Sequence, residues 1–97
     1  DVIEERCQVL RARRKFEEAI KEYVLVLNAI EHEEPQVWWD LAEALARTYV
    51  EAKQARKARK WLEGLRSKDR TFGADPTRRQ RLIKLMREVD LLASRDG

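Results

Sequence analysis

The side chains that could do chemistry in this 97-residue sequence are few, and their spacing does not serve it. The single histidine, His32, stands in the stretch Glu31-His32-Glu33-Glu34. An imidazole beside carboxylates is a weak cation donor set, but a protein metal site needs more converging nitrogen or sulfur ligands than this. There is no second histidine, and the one cysteine, Cys7, is not at ligand spacing. Ser67 and Ser94 have no base nearby in sequence, so neither reads as a nucleophile. Glu17 and Glu18 are neighbours on a helix surface rather than an acid–base pair placed across a cleft. Gly64, Gly73 and Gly97 are isolated, so no glycine-rich loop is present to cradle a phosphate. The residues therefore predict no catalysis, no metal and no cofactor, with His32 in a solvated acidic turn.

What remains is surface charge on helices. Apolar residues make up 43% and charged residues 40%, with three glycines and two prolines. That balance predicts an all-α chain with one small core. No apolar run approaches the roughly 20 residues that span a bilayer, and no signal peptide is visible, so no membrane is expected. A lone cysteine makes no intrachain disulfide and reads as a small buried residue, which fits an intracellular, cytoplasmic setting. Charge is divided along the chain. Residues 1–51 hold twelve acids and seven bases, net −5, while residues 52–97 hold six acids and fourteen bases, net +8. Such a dipole bears on partners rather than on fold.

Hydrophobic periodicity predicts five helices. The first covers about 2–14, with an imperfect stripe of Ile3, Cys7, Val9 and Leu10. The second covers about 15–30, where Phe16, Ala19, Ile20, Tyr23, Val24, Leu27 and Ile30 recur at threes and fours. Pro35 opens a third helix to Glu51, since proline suits a first turn. Its stripe is Trp38, Leu41, Ala42, Leu45 and Tyr49. The fourth covers about 54–67, on Ala55, Ala58, Trp61, Leu62 and Leu65. The stretch around Gly73 is a loop, and Asp75 or Thr77 caps a fifth helix carrying Leu82, Leu85, Met86 and Val89. This last helix is expected to fray at its C-terminal Ser-Arg-Asp-Gly.

Two helix pairs invite a search for repetition. Ile3, Arg6, Cys7, Leu10, Ala19 and Tyr23 match in spacing Ala42, Leu45, Ala46, Tyr49, Ala58 and Leu62. Leu82, Leu85, Met86 and Val89 repeat the start once more. The spacing of small and bulky residues, strongest in Phe16–Ala19–Tyr23, resembles the tetratricopeptide repeat family. The resemblance departs from the family pattern where Arg6 stands for a leucine and where Cys7 and Ala46 stand for a glycine. The interval from Ala19 to Ala58 is also longer than the family's, by about one turn of the third helix. It implies antiparallel helix-pair repeats in a single domain over 1–97. The first repeat would be 3–31, the second 35–68 with a lengthened first helix, and a C-terminal capping helix would cover 75–95. About three such repeats are needed for stability, so the chain is expected to be the end of a longer array.

The resemblance also implies function: a scaffold or adaptor that binds a peptide or partner protein on a concave face lined by the first helices of successive repeats. Carried onto matched positions, that face includes Gln8, Arg11, Glu43, Arg47, Val50 and Arg87, with Ile83 and Asp90 beside Arg87. Trp39 borders this set, about 100° around the helix from Trp38. Two readings of Trp39 stand side by side. It either completes the core against the helix at 15–30 or anchors a bound peptide, as tryptophan does at interface hot spots. Because Glu4, Gln8 and Glu43 are acidic or neutral, the groove should prefer a basic or mixed-charge peptide.

The basic half supplies a second candidate surface: Lys53, Arg56, Lys57, Arg59, Lys60, Arg66, Lys68 and Arg70 crowd one helix and its exit, and Arg78, Arg79, Arg81, Lys84 and Arg87 follow, with Arg56, Lys57, Arg59, Lys60, Arg78, Arg79 and Arg81 as its basic patch. As solvated helix faces they need only pair locally, for example Arg59 with Glu63. They also suit an acidic protein surface, including the acidic half of another copy in a head-to-tail homo-oligomer. Nucleic acid is the weakest of the three readings, because no aromatic side chains are interleaved for base stacking.

Overall fold

The structure is a computed structural model that describes Val9, Arg13 and residues 15–30 and 33–96, with side chains as far as Ser94. Among the described residues it contains four helices: α1 (Phe16–Ile30), α2 (Pro35–Glu51), α3 (Ala55–Lys68) and α4 (Pro76–Asp96). Among the described residues there is no strand. The expected helix at 2–14 lies outside them, apart from Val9 and Arg13, which are joined by a backbone hydrogen bond from Arg13 N to Val9 O of 3.0 Å. Gln8, Arg11, Cys7, Glu31 and His32 lie outside them as well. α4 does not fray at Ser94; it stays helical through Asp96. No helix among the described residues is long and apolar enough to cross a membrane.

α2 is the centre of the fold. It packs against α1, α3 and α4, and its buried residues lie on a wide arc: Trp38, Trp39, Leu41, Ala42, Leu45 and Ala46. That arc is why α2 has no simple polar face. α1 gives Ala19, Tyr23 and Leu27 to the core, α3 gives Ala58, Leu62 and Leu65, and α4 gives Leu82, Leu85 and Val89. Ala19, Ala42, Ala46 and Ala58 have no solvent exposure. Small side chains there let the rods approach closely, and one such approach is a direct bond. Trp61 on α3 donates its indole N–H to the carbonyl of Ala42 on α2, at 3.0 Å.

The connections carry their own instructions. α2 ends where Gln54 N donates to Tyr49 O at 2.9 Å, with Lys53 in the left-handed region at φ 60°. The 69–75 loop between α3 and α4 is more elaborate. Asp69 accepts from the Thr71 backbone N–H at 2.9 Å and from the Thr71 hydroxyl at 2.6 Å. The Thr71 hydroxyl oxygen in turn accepts from Ala74 N at 3.0 Å. Phe72, Gly73 and Ala74 all take positive φ. This folding-back drives Phe72 into the core at 1% exposure. Asp75 is the cap of α4, accepting from the backbone N–H of Arg78 at 3.1 Å.

A candidate protein-binding cleft

The predicted groove residues do not form one surface. Trp39 is enclosed, at 6% exposure. It is packed against the 69–75 loop. Its ring meets Phe72 edge-on at 6.2 Å and Trp38 edge-on at 5.0 Å. An indole so enclosed offers no face to a peptide. Val50 is half-buried against the core.

Glu43 is also 6% exposed, and it is occupied. Arg81 from α4 grips it with two hydrogen bonds, from Nε at 2.7 Å and from NH2 at 3.0 Å. Arg47, one turn on, donates to the same carboxylate at 3.2 Å. Burial by itself pushes the Glu43 carboxyl up. The hydrogen bonds and charges of Arg81 and then Arg47 outweigh it and hold the group below its ordinary range. Beside this, the Arg78 guanidinium donates to the Asp40 carboxylate and to the carbonyl of Phe72 at 3.3 Å. At 3% exposure, Arg78 is a buried tie and not part of a solvated basic face.

These ion pairs fix a register. Asp40 pairs with Arg78 and Glu43 with Arg81, each across 38 residues. A constant interval means that α2 and α4 lie side by side and run the same way. The acidic groove expected on α2 is therefore neutralised by arginines of α4. Arg87, Ile83 and Asp90, expected to share that groove, point elsewhere.

They line a cleft of about 470 Å³ between the end of α3 and the outer side of α4. Its rim is Arg66, Arg70, Arg79 and Arg87, all exposed, and its floor is Phe72 with the half-buried Ile83 and Met86. Among the described residues none of the four arginines meets a carboxylate. The one acid in the wall, Asp90, is engaged by Arg59 of α3 at 3.4 Å. Of the predicted basic patch, Arg79 stands in this cleft, and Arg59 pairs with both Asp90 and Glu63, the latter at 3.2 Å. Arg56 and Lys60 flank a neighbouring shallow depression with Ala93 and Ser94, and Lys57 is exposed on α3. A cleft edged by planar guanidinium cations over an apolar floor can hold a carboxylate-bearing chain through bidentate bonds and buried contact together.

A second cleft, of about 320 Å³, lies between α1 and α3 over Trp38, with Val24, Leu27, Trp61 and Leu65 in its walls. It is apolar, and the Lys68 ammonium sits 4.7 Å over the Trp38 ring.

Arg66 and Arg70 stood out in the sequence only as members of the basic half. Arg66 lies in the last turn of α3 and Arg70 in the loop after it, and only the folded-back loop and α4 make them a wall of the cleft. Among the described residues no group of three or more histidine, cysteine or acidic side chains converges for a metal. Comparison with family models, with curated proteins and with solved structures finds no match.

Proposed function

We propose that this chain is a protein-interaction module of tetratricopeptide-like, antiparallel helix pairs, and that it binds a polypeptide partner in the arginine-rimmed cleft between α3 and α4. Binding is its function; it performs no reaction and takes no cofactor. The observation that carries the reading is the contrast between two sets of arginines. Arg78 and Arg81 are consumed internally by Asp40 and Glu43. Arg66, Arg70, Arg79 and Arg87 surround a buried to half-buried apolar floor, and among the described residues none of them meets a carboxylate. Arginine is enriched at interface hot spots, where its fork is pre-organised for carboxylates. The side-by-side, same-direction placing of α2 and α4 supports the repeat arrangement, because successive first helices of such an array line up in that way.

The test is a pull-down with wild type, an Arg66→Glu/Arg87→Glu variant and an Arg47→Glu variant, each first checked for helical circular dichroism. The reading expects a set of captured proteins that the double reversal loses and Arg47→Glu keeps. Captured proteins unchanged by the double reversal, or material released by nuclease, would overturn it. Release by nuclease would favour the nucleic-acid alternative, and capture of the chain itself would favour head-to-tail assembly through the −5 and +8 halves.

A further inference from the structure

α4 repeats α2 at an interval of 40 residues, with Leu82, Leu85, Met86 and Val89 answering Ala42, Leu45, Ala46 and Tyr49. At that interval the α2 face made by Trp39, Glu43, Ala46 and Val50 corresponds to Arg79, Ile83, Met86 and Asp90 on α4. On α2 this face is covered. Phe72 stands against Trp39, and α4 brings Arg81 onto Glu43. On α4 the same face is the floor and wall of the open cleft. The molecule thus shows how a helix docks on this face, and among the described residues no helix covers the next such position.

We infer that the cleft receives an acidic amphipathic helix of another protein, which lies along α4 as α4 lies along α2 and extends the stack by one rod. This rests on the proposed function and specifies its ligand. The charges argue for the occupant. α2 presents acids, Asp40 and Glu43, and the helix that covers it brings arginines. The open face presents Arg66, Arg70, Arg79 and Arg87, so the covering helix brings carboxylates. The half-buried Ile83 and Met86 need an apolar stripe from it at three- and four-residue spacing. Methionine, being unbranched, adapts to a range of such side chains. A phosphate backbone would meet the arginines but would leave this floor uncovered.

The test uses a fluorescently labelled peptide of about five helical turns, with leucine on one face and glutamate elsewhere. A second peptide of the same composition has its leucines scrambled off the face. A single-stranded oligonucleotide is the third probe. Anisotropy titrations and circular dichroism are run on wild type and on Arg79→Glu/Arg87→Glu, with sedimentation of the protein alone. The expected result is binding of the first peptide with a gain of helix, about tenfold weaker for the scrambled peptide and for the variant, and weaker again in high salt. Equal binding of both peptides would overturn the helical ligand while leaving an acidic protein partner in place. Preference for the oligonucleotide would overturn both readings. No peptide binding, or self-association that the reversal abolishes, would overturn the inference in favour of another partner or a second copy.

Discussion

The backbone of Gly73 lies so close to the indole of Trp39 that no side chain fits between them. A Cβ on Gly73 would stand 2.7 Å from Trp39 Cδ1 and 2.9 Å from Cγ. The same residue sits at φ +84°, which a side chain rarely adopts. Gly73→Ala therefore meets strain and collision together, and a loss of about 2–4 kcal/mol is expected. Gly64, inside α3, is the control. A Cβ there meets nothing within 4 Å, so Gly64→Ala should stabilise by about 0.5–1 kcal/mol. Urea denaturation of both variants checks this; equal stability of Gly73→Ala and wild type would mean that the loop does not rest on Trp39.

Trp39 should behave as a core residue. Trp39→Ala removes the ring that joins Trp38 to Phe72, at an expected cost of about 3–5 kcal/mol. In a domain whose whole stability is of order 5–15 kcal/mol, that is a large fraction of the total and should lower the thermal midpoint by roughly 10 °C or more. Phe72→Ala should cost a similar amount although it lies in a loop, because its side chain is 1% exposed. Thermal melts followed at 222 nm would decide, and a Trp39→Ala protein with an unshifted midpoint would return this side chain to the surface.

Arg78 and Asp40 are partners of unequal weight. Arg78 is buried, whereas the Asp40 side chain is 61% exposed. Removing the acid leaves the buried Arg78 guanidinium without its counter-charge and with only its bond to the Phe72 carbonyl. Asp40→Ala is expected to cost about 1–2 kcal/mol. Arg78→Ala empties a packed site and removes both bonds, at about 2–4 kcal/mol. A double-mutant cycle in guanidinium chloride gives the coupling. Equal single-mutant costs would contradict the asymmetry.

Glu43 predicts a pH dependence. Its carboxyl is held below its ordinary 4.5 in the folded protein. Its contribution to stability is thus complete above that value and is lost as pH falls through the lower, folded one. Asp69, held low by its hydrogen bonds from Thr71, and Asp75, held low by the Arg78 N–H, act in the same acid window. Glu43→Gln keeps the shape and removes the charge. It should be less stable near neutral pH and should show a shallower fall on acidification. Stability measured from pH 7 downward checks the sign; an unchanged slope would mean that Arg81 and Arg47 do not hold this carboxylate.

The helices were legible because their signals are local. Pro35 starts α2, the three-and-four spacing of Ala19, Tyr23 and Leu27 marks the buried face of α1, and Asp75 closes the first turn of α4. The site was legible only in its ingredients. Arg79 and Arg87 stood out as basic, yet they were assigned to different surfaces. Arg78, Arg79 and Arg81 looked alike in a run of cations, but one is buried, one is free and one is spent on Glu43. Phe72 carried a faint signal, an aromatic residue amid Asp, Thr and Gly, which makes little sense in a purely solvated loop.

By itself, then, the sequence determined the bounds of the four described helices to within a residue or two at most ends, and which side of each is apolar, since these follow from the 3.6-residue period and from capping within a turn. The tertiary structure decided which charged residues are neutralised. That depends on how far α4 slides along α2, which no local pattern encodes. A slide that joins 40 to 78 and 43 to 81 closes the acidic groove, and it leaves the arginines on the far side of α4 facing solvent across an apolar floor.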